Sequence, residues 1–236
     1  MNIKYCSDYN EMSQMACDSI VSGLKEKSRQ LICKATGHSP AGTYDKLAEV
    51  YKIQPDIFRE LAIVKLDEWG GIEPADASSC ETYIQKKIIQ PIQIPKERYI
   101  SFRSNSVSPK KECSRIQLEL KQKGPIELCV LGLGQNGHIG FNEPSNSLIP
   151  HCHVAKLSTD SLNHQMIKDL DFKPTYGMTL GMADILQSKK IILLVTGSEK
   201  KKVIKKLLSK EITTELPASF LWLHKQVACY IDSTSV

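Results

Sequence analysis

No window of the 236-residue sequence approaches the roughly 18 apolar residues that a membrane-spanning helix requires, so no membrane role is expected. The opening residues, MNIKYCSDYNEMSQ, lack the apolar run of a secretory leader. The 8 cysteines form no C-x-x-C pair and fall singly at positions 6, 17, 33, 80, 113, 129, 152 and 229. That scatter argues against a zinc site and against a disulfide framework, and for free, mostly buried thiols in a reducing compartment. A cytoplasmic location is the expectation. A strong excess of one charge is also missing. The 31 Lys and Arg against 26 Asp and Glu leave +5, too mild for a dedicated nucleic-acid protein and suited to a small anionic ligand. The densest basic runs, Lys200-Lys201-Lys202 and Lys205-Lys206, sit at helical spacing and read as a solvated helix face. No repeat, low-complexity tract or Gly/Ser linker divides the chain, which is read as one domain over residues 1–236. The nucleotide loop G-x-x-x-x-G-K-[ST] does not occur.

What is present is the pattern of an α/β fold. Residues 8–27 place Met12, Ala16, Ile20 and Leu24 on one helical stripe. Four short apolar runs, Gln30–Ala35, Leu61–Leu66, Ile126–Leu133 and Lys190–Val195, read as buried strands. Unbroken apolar strands that alternate with helical segments predict a mainly parallel sheet with helices on both faces. Each run is followed directly by a polar cluster: Thr36-Gly37-His38-Ser39, Asp67-Glu68, the glycine-rich stretch from Gly132, and Thr196 to Lys200. Ligands in open parallel sheets bind outside the carboxyl ends of the strands, so the four clusters are expected to converge on one pocket.

The stretch VLGLGQNGHIGFNEP, residues 130–144, holds a literal G-x-G-x-x-G at Gly132, Gly134 and Gly137. A dinucleotide site would need a helix opening at the third glycine and an acidic residue about 20 positions on, in a second strand. Gly140, Pro144 and the Asn/Ser pairs make a poor helix start, and no such acid is evident. Glycines that only permit a tight turn would explain Gly132 and Gly134, but not His138 and Glu143. Those two are the residue types of a general acid/base pair, in which the carboxylate fixes the imidazole tautomer. His151, His153, His164 and His224 have no comparable setting and are expected to be surface or packing residues. Asp67 at a strand end is either a partly desolvated base or a turn cap. The Thr36–Ser39 junction and the Thr196–Lys200 junction both offer backbone N–H groups at a helix start, hydroxyls and, in the second, a lysine. These features suit a phosphate. In the first junction Ser39 is expected as the helix cap and Pro40 as the first helical residue.

The motif G-x-G-x-[ND]-G-H-[IL]-[GA]-[FL]-N-E-P resembles the signature of the glucosamine-6-phosphate deaminase/isomerase family. Asn142-Glu143-Pro144 favours its aminosugar branch over the related 6-phosphogluconolactonases. The likeness continues through ATGHSPAGTY (35–44), VKLDEW (64–69), SCETYIQKKIIQP (79–91), ISFRS (100–104), MTLGMADIL (178–186), LLVTGSEK (193–200) and LPASFLWLH (216–224). VKLDEW, the CET segment, ISFRS and PASFLWLH look most like the galactosamine-6-phosphate members. The resemblance implies a single-domain, modified Rossmann-like sheet and a reaction that needs no cofactor or metal. A hexosamine 6-phosphate ring opens, a proton moves from C2 to C1, and ammonia leaves a ketose 6-phosphate. By the same resemblance Asp67 is the proton shuttle, His138 assists ring opening and Glu143 orients it. Thr36, Gly37, His38, Ser39 and Lys200 then form the phosphate cradle. The glucosamine members carry Asp where this chain has Asn136, whereas galactosamine-type members share the Asn. The family's lid arginine has no counterpart in Ser161–Asp171, and Lys168 is the substitute candidate. The basic pair that reads an allosteric sugar phosphate in some relatives falls near His153 and Ala155. The implied partner is a small hexosamine 6-phosphate, with no nucleic acid. A homo-oligomer is compatible with the sequence but not specified by it.

Overall fold

The computed structural model describes residues 1–167, 170 and 173–235. Its strands are β1 (Asn2–Cys6), β2 (Leu31–Lys34), β3 (Ala62–Lys65), β4 (Asp67–Trp69), β5 (Tyr99–Ile100), β6 (Ile126–Gly132), β7 (His153–Lys156), β8 (Tyr176–Thr179), β9 (Lys190–Val195) and β10 (Val227–Asp232). Between them run helices α1 (Tyr9–Glu26), α2 (His38–Ile53), α3 (Cys80–Ile84), α4 (Pro109–Lys123), α5 (Thr159–Leu162), α6 (Met182–Leu186) and α7 (Lys201–Leu208). Among the described residues, seven strands form one sheet in the order β1-β10-β9-β6-β2-β3-β5, with every pairing parallel.

The unbroken apolar strands follow from burial on both faces. Leu31, Cys33, Val64, Cys129, Leu131 and Leu193 pack on one side with Ile116 of α4 and Val203, Ile204 and Leu207 of α7. Ile32, Ile63, Leu128, Val130, Ile192 and Leu194 face the other way, against α1 and α2. The predicted stripe Met12, Ala16, Ile20 and Leu24 is buried in this second layer. Asp8 caps α1 by accepting the Glu11 N–H at 2.7 Å, which satisfies one of the free amides at the helix start.

Three features differ from the sequence expectations. A second sheet, β4-β8-β7, is antiparallel, and Asp67 starts its first strand rather than ending a long one. β4 has only three residues, too few to display a period. Ser39 is not the cap of α2. Gly37 holds that place with φ 102°, and the helix begins at His38. Because the left-handed backbone at Gly37 turns the chain early, Ser39 falls inside the first turn and is buried. In the glycine-rich stretch a turn does open at Gly134, whose carbonyl accepts from Gly137 N at 3.0 Å, but the left-handed backbone is at Gly137 (φ 92°) and Gly140 (φ 57°), not at Gly132 and Gly134. Gly134 has a different reason: a Cβ there would lie 2.4 Å from the His138 ring.

The chain runs outward from the sheet centre in both directions, through β2, β3 and β5 on one side and β6, β9 and β10 on the other. β2 and β6 are therefore a topological switch point, where such sheets open a crevice at their carboxyl edge. The strand order sets β9, β6, β2 and β3 side by side, so their four polar clusters share that edge. Among the described residues no helix is long and apolar enough to cross a membrane.

Candidate active site

The carboxyl ends of β2, β3, β6 and β9 open onto a cavity of about 610 Å³. Thr36, Gly37, His38, Ser39, Asp67, His138 and Lys200 all line it, which brings together the clusters the sequence keeps apart. A second cavity of about 680 Å³ lies at the amino ends of β6 and β9, bordered by Lys27, Glu127, Lys189 and Lys225. There the Lys27 and Lys189 amines are bound to Glu127, and no buried base faces a histidine. Of these two cavities only the first has both a buried carboxylate, Asp67, and a histidine, His138, among its lining residues.

Asp67 is held from behind by a buried ion cluster. Next to it, Glu68 is fully buried and accepts from Lys65 Nζ at 2.6 Å, Trp69 N at 2.9 Å, Cys80 N at 2.9 Å and Glu81 N at 2.8 Å. Lys65 Nζ also reaches Glu81 at 2.7 Å. Burial works against the Lys65 charge, but Glu68 and Glu81 outweigh it and hold the amine above its usual range. This clamp fixes β4, so Asp67 is directed toward the cavity. Asp67 Oδ1 is buried with no hydrogen-bond partner among the described residues. Burial, reinforced by the Glu68 charge, pushes the Asp67 carboxyl up to about 7, although His138 and Lys65 pull the other way. A carboxylate in that state is a proton acceptor poised near neutral pH.

Behind His138 lies a polar chain in which Ser161 lines the cavity and Asn136, Glu143 and Ser158 do not. His138 Nδ1 is 2.8 Å from Asn136 Oδ1 and 3.4 Å from Glu143 Oε2. Asn136 Nδ2 donates to Glu143 Oε2 at 3.0 Å and to Ser158 Oγ at 3.3 Å. The Ser161 hydroxyl and the Ser158 N–H both donate to Glu143 Oε1. Burial opposes the Glu143 charge, yet His138, Ser161 and Asn136 outweigh it and hold the carboxyl at about 2. Glu143 is thus a fixed anion that places the Nδ1 proton of His138 inward, which leaves Nε2 free to exchange a proton with a ligand. Asn136 transmits orientation but not a proton. Ser158 and Ser161 completed this chain without any sequence signal, because they approach from a segment 15 and 18 residues away.

The other end of the cavity can hold an anion. Gly37 opens the 16-residue α2, and its carbonyl is fixed by the Tyr83 hydroxyl at 2.6 Å. Lys200 Nζ donates to Ser39 Oγ at 3.2 Å, so it belongs to this cavity rather than to the solvated basic face. Lys201, Lys202, Lys205 and Lys206 are exposed, as a solvated face requires. The Thr36 hydroxyl lies 3.5 Å from Cys80 Sγ. His38 is exposed and stacks on Tyr9, with 4.8 Å between ring centroids. His164, expected to be a surface or packing residue, instead lines this cavity. Of the other histidines read that way, the exposed ring of His151 pairs with Asp184 at 3.1 Å, and His224 Nε2 lies 2.7 Å from Ser188 O. Lys168 lies outside the described residues.

A buried base, a histidine held by an anion and a lysine-bearing helix start around one cavity define a protein that can move protons on a small anionic ligand. Residues 8–230 match the model of the glucosamine-6-phosphate isomerase/6-phosphogluconolactonase family, and the chain belongs to that family. The provisionally named deaminase AgaI of Escherichia coli (strain K12) is 38% identical over 232 residues, 98% of this chain and 92% of that protein. Glucosamine-6-phosphate deaminase of Bacillus pumilus (strain SAFR-032) is 38% identical over 236 residues, 98% of this chain and 97% of that one. Among solved structures, a monomeric glucosamine-6-phosphate deaminase superposes with a TM-score of 0.93 at 32% identity, covering 100% of both chains. A 6-phosphogluconolactonase from Leishmania guyanensis reaches 0.80 at 18% identity over 99% of this chain and 97% of that one, a likeness of fold alone.

Proposed function

We propose that the chain is a deaminating ketol isomerase of hexosamine 6-phosphates, and that it converts galactosamine 6-phosphate to tagatose 6-phosphate and ammonia. The observation that carries this reading is the shared cavity. Asp67, poised near neutral pH, faces the same space as His138, and Lys200 with the start of α2 lies at its anion-holding end. That the four strand ends belong to one sheet supports the reading of residues 1–236 as one domain.

In this mechanism the phosphate is held by Thr36, Gly37, His38, Ser39 and Lys200, which places the sugar ring between Asp67 and His138. His138 Nε2 takes the proton of the C1 hydroxyl as the ring opens to the aldehyde and returns it to the ring oxygen. Asp67 removes the C2 proton while the substrate's own ammonium gives a proton to O1, which leaves an enolamine, and Asp67 then delivers the C2 proton to C1. The resulting C2 iminium adds water, and ammonia departs to leave the ketose. Glu143 supports the histidine through both proton transfers, and Asn136 holds the two in register.

The galacto choice rests on Asn136 and on the resemblance of VKLDEW, ISFRS and PASFLWLH to galactosamine-type members. A second reading, glucosamine 6-phosphate to fructose 6-phosphate and ammonia, is supported by relatives that bear that activity in their names. A lactone hydrolase fits less well, because Asn142-Glu143-Pro144 follows the aminosugar branch. The test is ammonia release from the two hexosamine 6-phosphates, measured side by side. Faster release from galactosamine 6-phosphate is expected. Faster turnover of the gluco epimer overturns the sugar assignment. Ligand protection with no ammonia from either replaces the enzyme with a sugar-phosphate sensor.

A further inference from the structure

One histidine in the cavity has no part in the proton chemistry, and its surroundings specify what it offers. His164 follows α5 in a tight turn in which its backbone is fully engaged. Its N–H donates to Ser161 O at 3.1 Å, and its carbonyl accepts from Ile167 N at 3.0 Å. The ring is engaged too: Met166 N–H donates to Nδ1 at 3.2 Å. A neutral imidazole whose Nδ1 accepts must carry its proton on Nε2, so the tautomer is set by the chain two residues on. Burial, followed by the charges of His138 and Lys200, lowers the affinity of this ring for a second proton. At neutral pH His164 therefore presents a neutral Nε2–H donor.

That donor is directed at the anion-holding end of the cavity. Nε2 lies 3.8 Å from the place a Cβ would take on Gly37, the residue that opens α2. No described residue accepts a hydrogen bond from it. The ring is steadied by Trp69, 6.0 Å away between centroids, and Trp69 rests on Phe141 at 4.5 Å. Lys200 Nζ, bound to Ser39 Oγ at 3.2 Å, lines the same cavity.

We propose that His164 is a direct ligand of the substrate's phosphate group, donating from Nε2 while Lys200 and the start of α2 supply the positive charge. A neutral donor suits this position, because a second full cation beside Lys200 would be repelled in the empty site. The proposal rests on the phosphate-ended ligand of the proposed function and adds to it the residue that closes the cradle from the segment after α5.

The probe is inorganic phosphate, its dissociation constant read by titration calorimetry on the full chain with each variant's melting temperature as a control for folding. His164→Ala is expected to weaken phosphate binding about tenfold or more, the size of a hydrogen bond to a charged acceptor. His164→Gln can place an amide N–H where Nε2 stands and is expected to recover most of that loss. His164→Asn, which reaches only the Nδ1 position, is not. With sugar phosphate as substrate, the Ala variant is expected to raise KM while kcat stays close to wild type. Phosphate affinity unchanged in His164→Ala overturns the proposal, and so does equal rescue by Asn and Gln, which would mark a packing role. The two readings fail separately. If no ammonia is released from either hexosamine phosphate while His164→Ala still weakens phosphate binding, the function is wrong and this assignment stands. If ammonia is released and phosphate binding ignores position 164, the reverse holds.

Discussion

Asp67→Asn should stabilise the fold in a pH-dependent way. The carboxyl sits at about 7 in the folded chain, raised first by burial and then by Glu68. In the unfolded chain it is near 3.9, and at about 1.4 kcal/mol per pH unit the charged form costs the fold on the order of 4 kcal/mol. Between pH about 4 and about 7 the folded chain keeps a proton that the unfolded chain has lost. Stability therefore falls as pH rises through that window, and the full penalty applies above it. Asparagine carries no charge at any pH, so its advantage is complete above pH 7 and vanishes below pH 4. The value is an upper bound, because the new amide must find its own partner at a position where Oδ1 has none among the described residues. For a chain of this size each kcal/mol moves the melting temperature by about 2–4 °C, which predicts a gain of several degrees at pH 8.5 and about none at pH 4. Calorimetric melts of both proteins at the two pH values provide the check. An equal difference at both, or a variant less stable than wild type at pH 8.5, refutes the claim that burial strains this carboxylate for its task.

Asn136→Asp would put a carboxylate 2.8 Å from His138 Nδ1 and 3.0 Å from Glu143. The amide that donates to Glu143 becomes a like charge against it, so the variant should lose more stability relative to wild type at pH 7.5 than at pH 4 in calorimetric melts; an equal difference at both removes Asn136 from contact with Glu143. Lys34 tests a buried charge unrelated to the site. Its amine has no hydrogen-bond partner among the described residues, lies 5.1 Å from the Tyr44 ring centroid, and is lowered by burial from 10.5 to about 7. Between pH about 7 and about 10.5 the unfolded chain holds a proton that the fold lacks, so stability rises with pH there. Lys34→Met should stabilise by up to about 4–5 kcal/mol at pH 6 and by little at pH 10.5, read from urea unfolding. A loss of stability at pH 6 would contradict it.

Four of the sheet's seven strands were legible, because β2, β3, β6 and β9 are buried on both faces and so read as plain apolar runs, placed to within a residue or two, whereas β1, β5 and β10 were not read. Convergence of the four clusters followed from the rule for parallel sheets and needed no knowledge of strand order. β4, β7 and β8 were missed because three or four residues in an antiparallel ribbon carry no recognisable period. His138 was visible through its flanking glycines at a strand end. His164 was not: its neighbours Asn163 and Gln165 signal nothing, and its value comes from a turn that engages Nδ1 and from Gly37, far away in the chain. The glycines of VLGLGQNGHIGFNEP showed that the chain turns there, but which ones turn depends on left-handed backbone and on the space the His138 ring takes.

In the proposed mechanism Asp67 moves the proton that leads to loss of ammonia. Ammonia release from galactosamine 6-phosphate by the wild type and by Asp67→Asn, with phosphate affinity measured on the same samples, tests it most directly. Steady release by the wild type is expected, with a fall of about a thousandfold or more in the variant, within the range for a general base, and phosphate affinity largely retained. Comparable release by both proteins, or none by a wild type that binds phosphate, would contradict it.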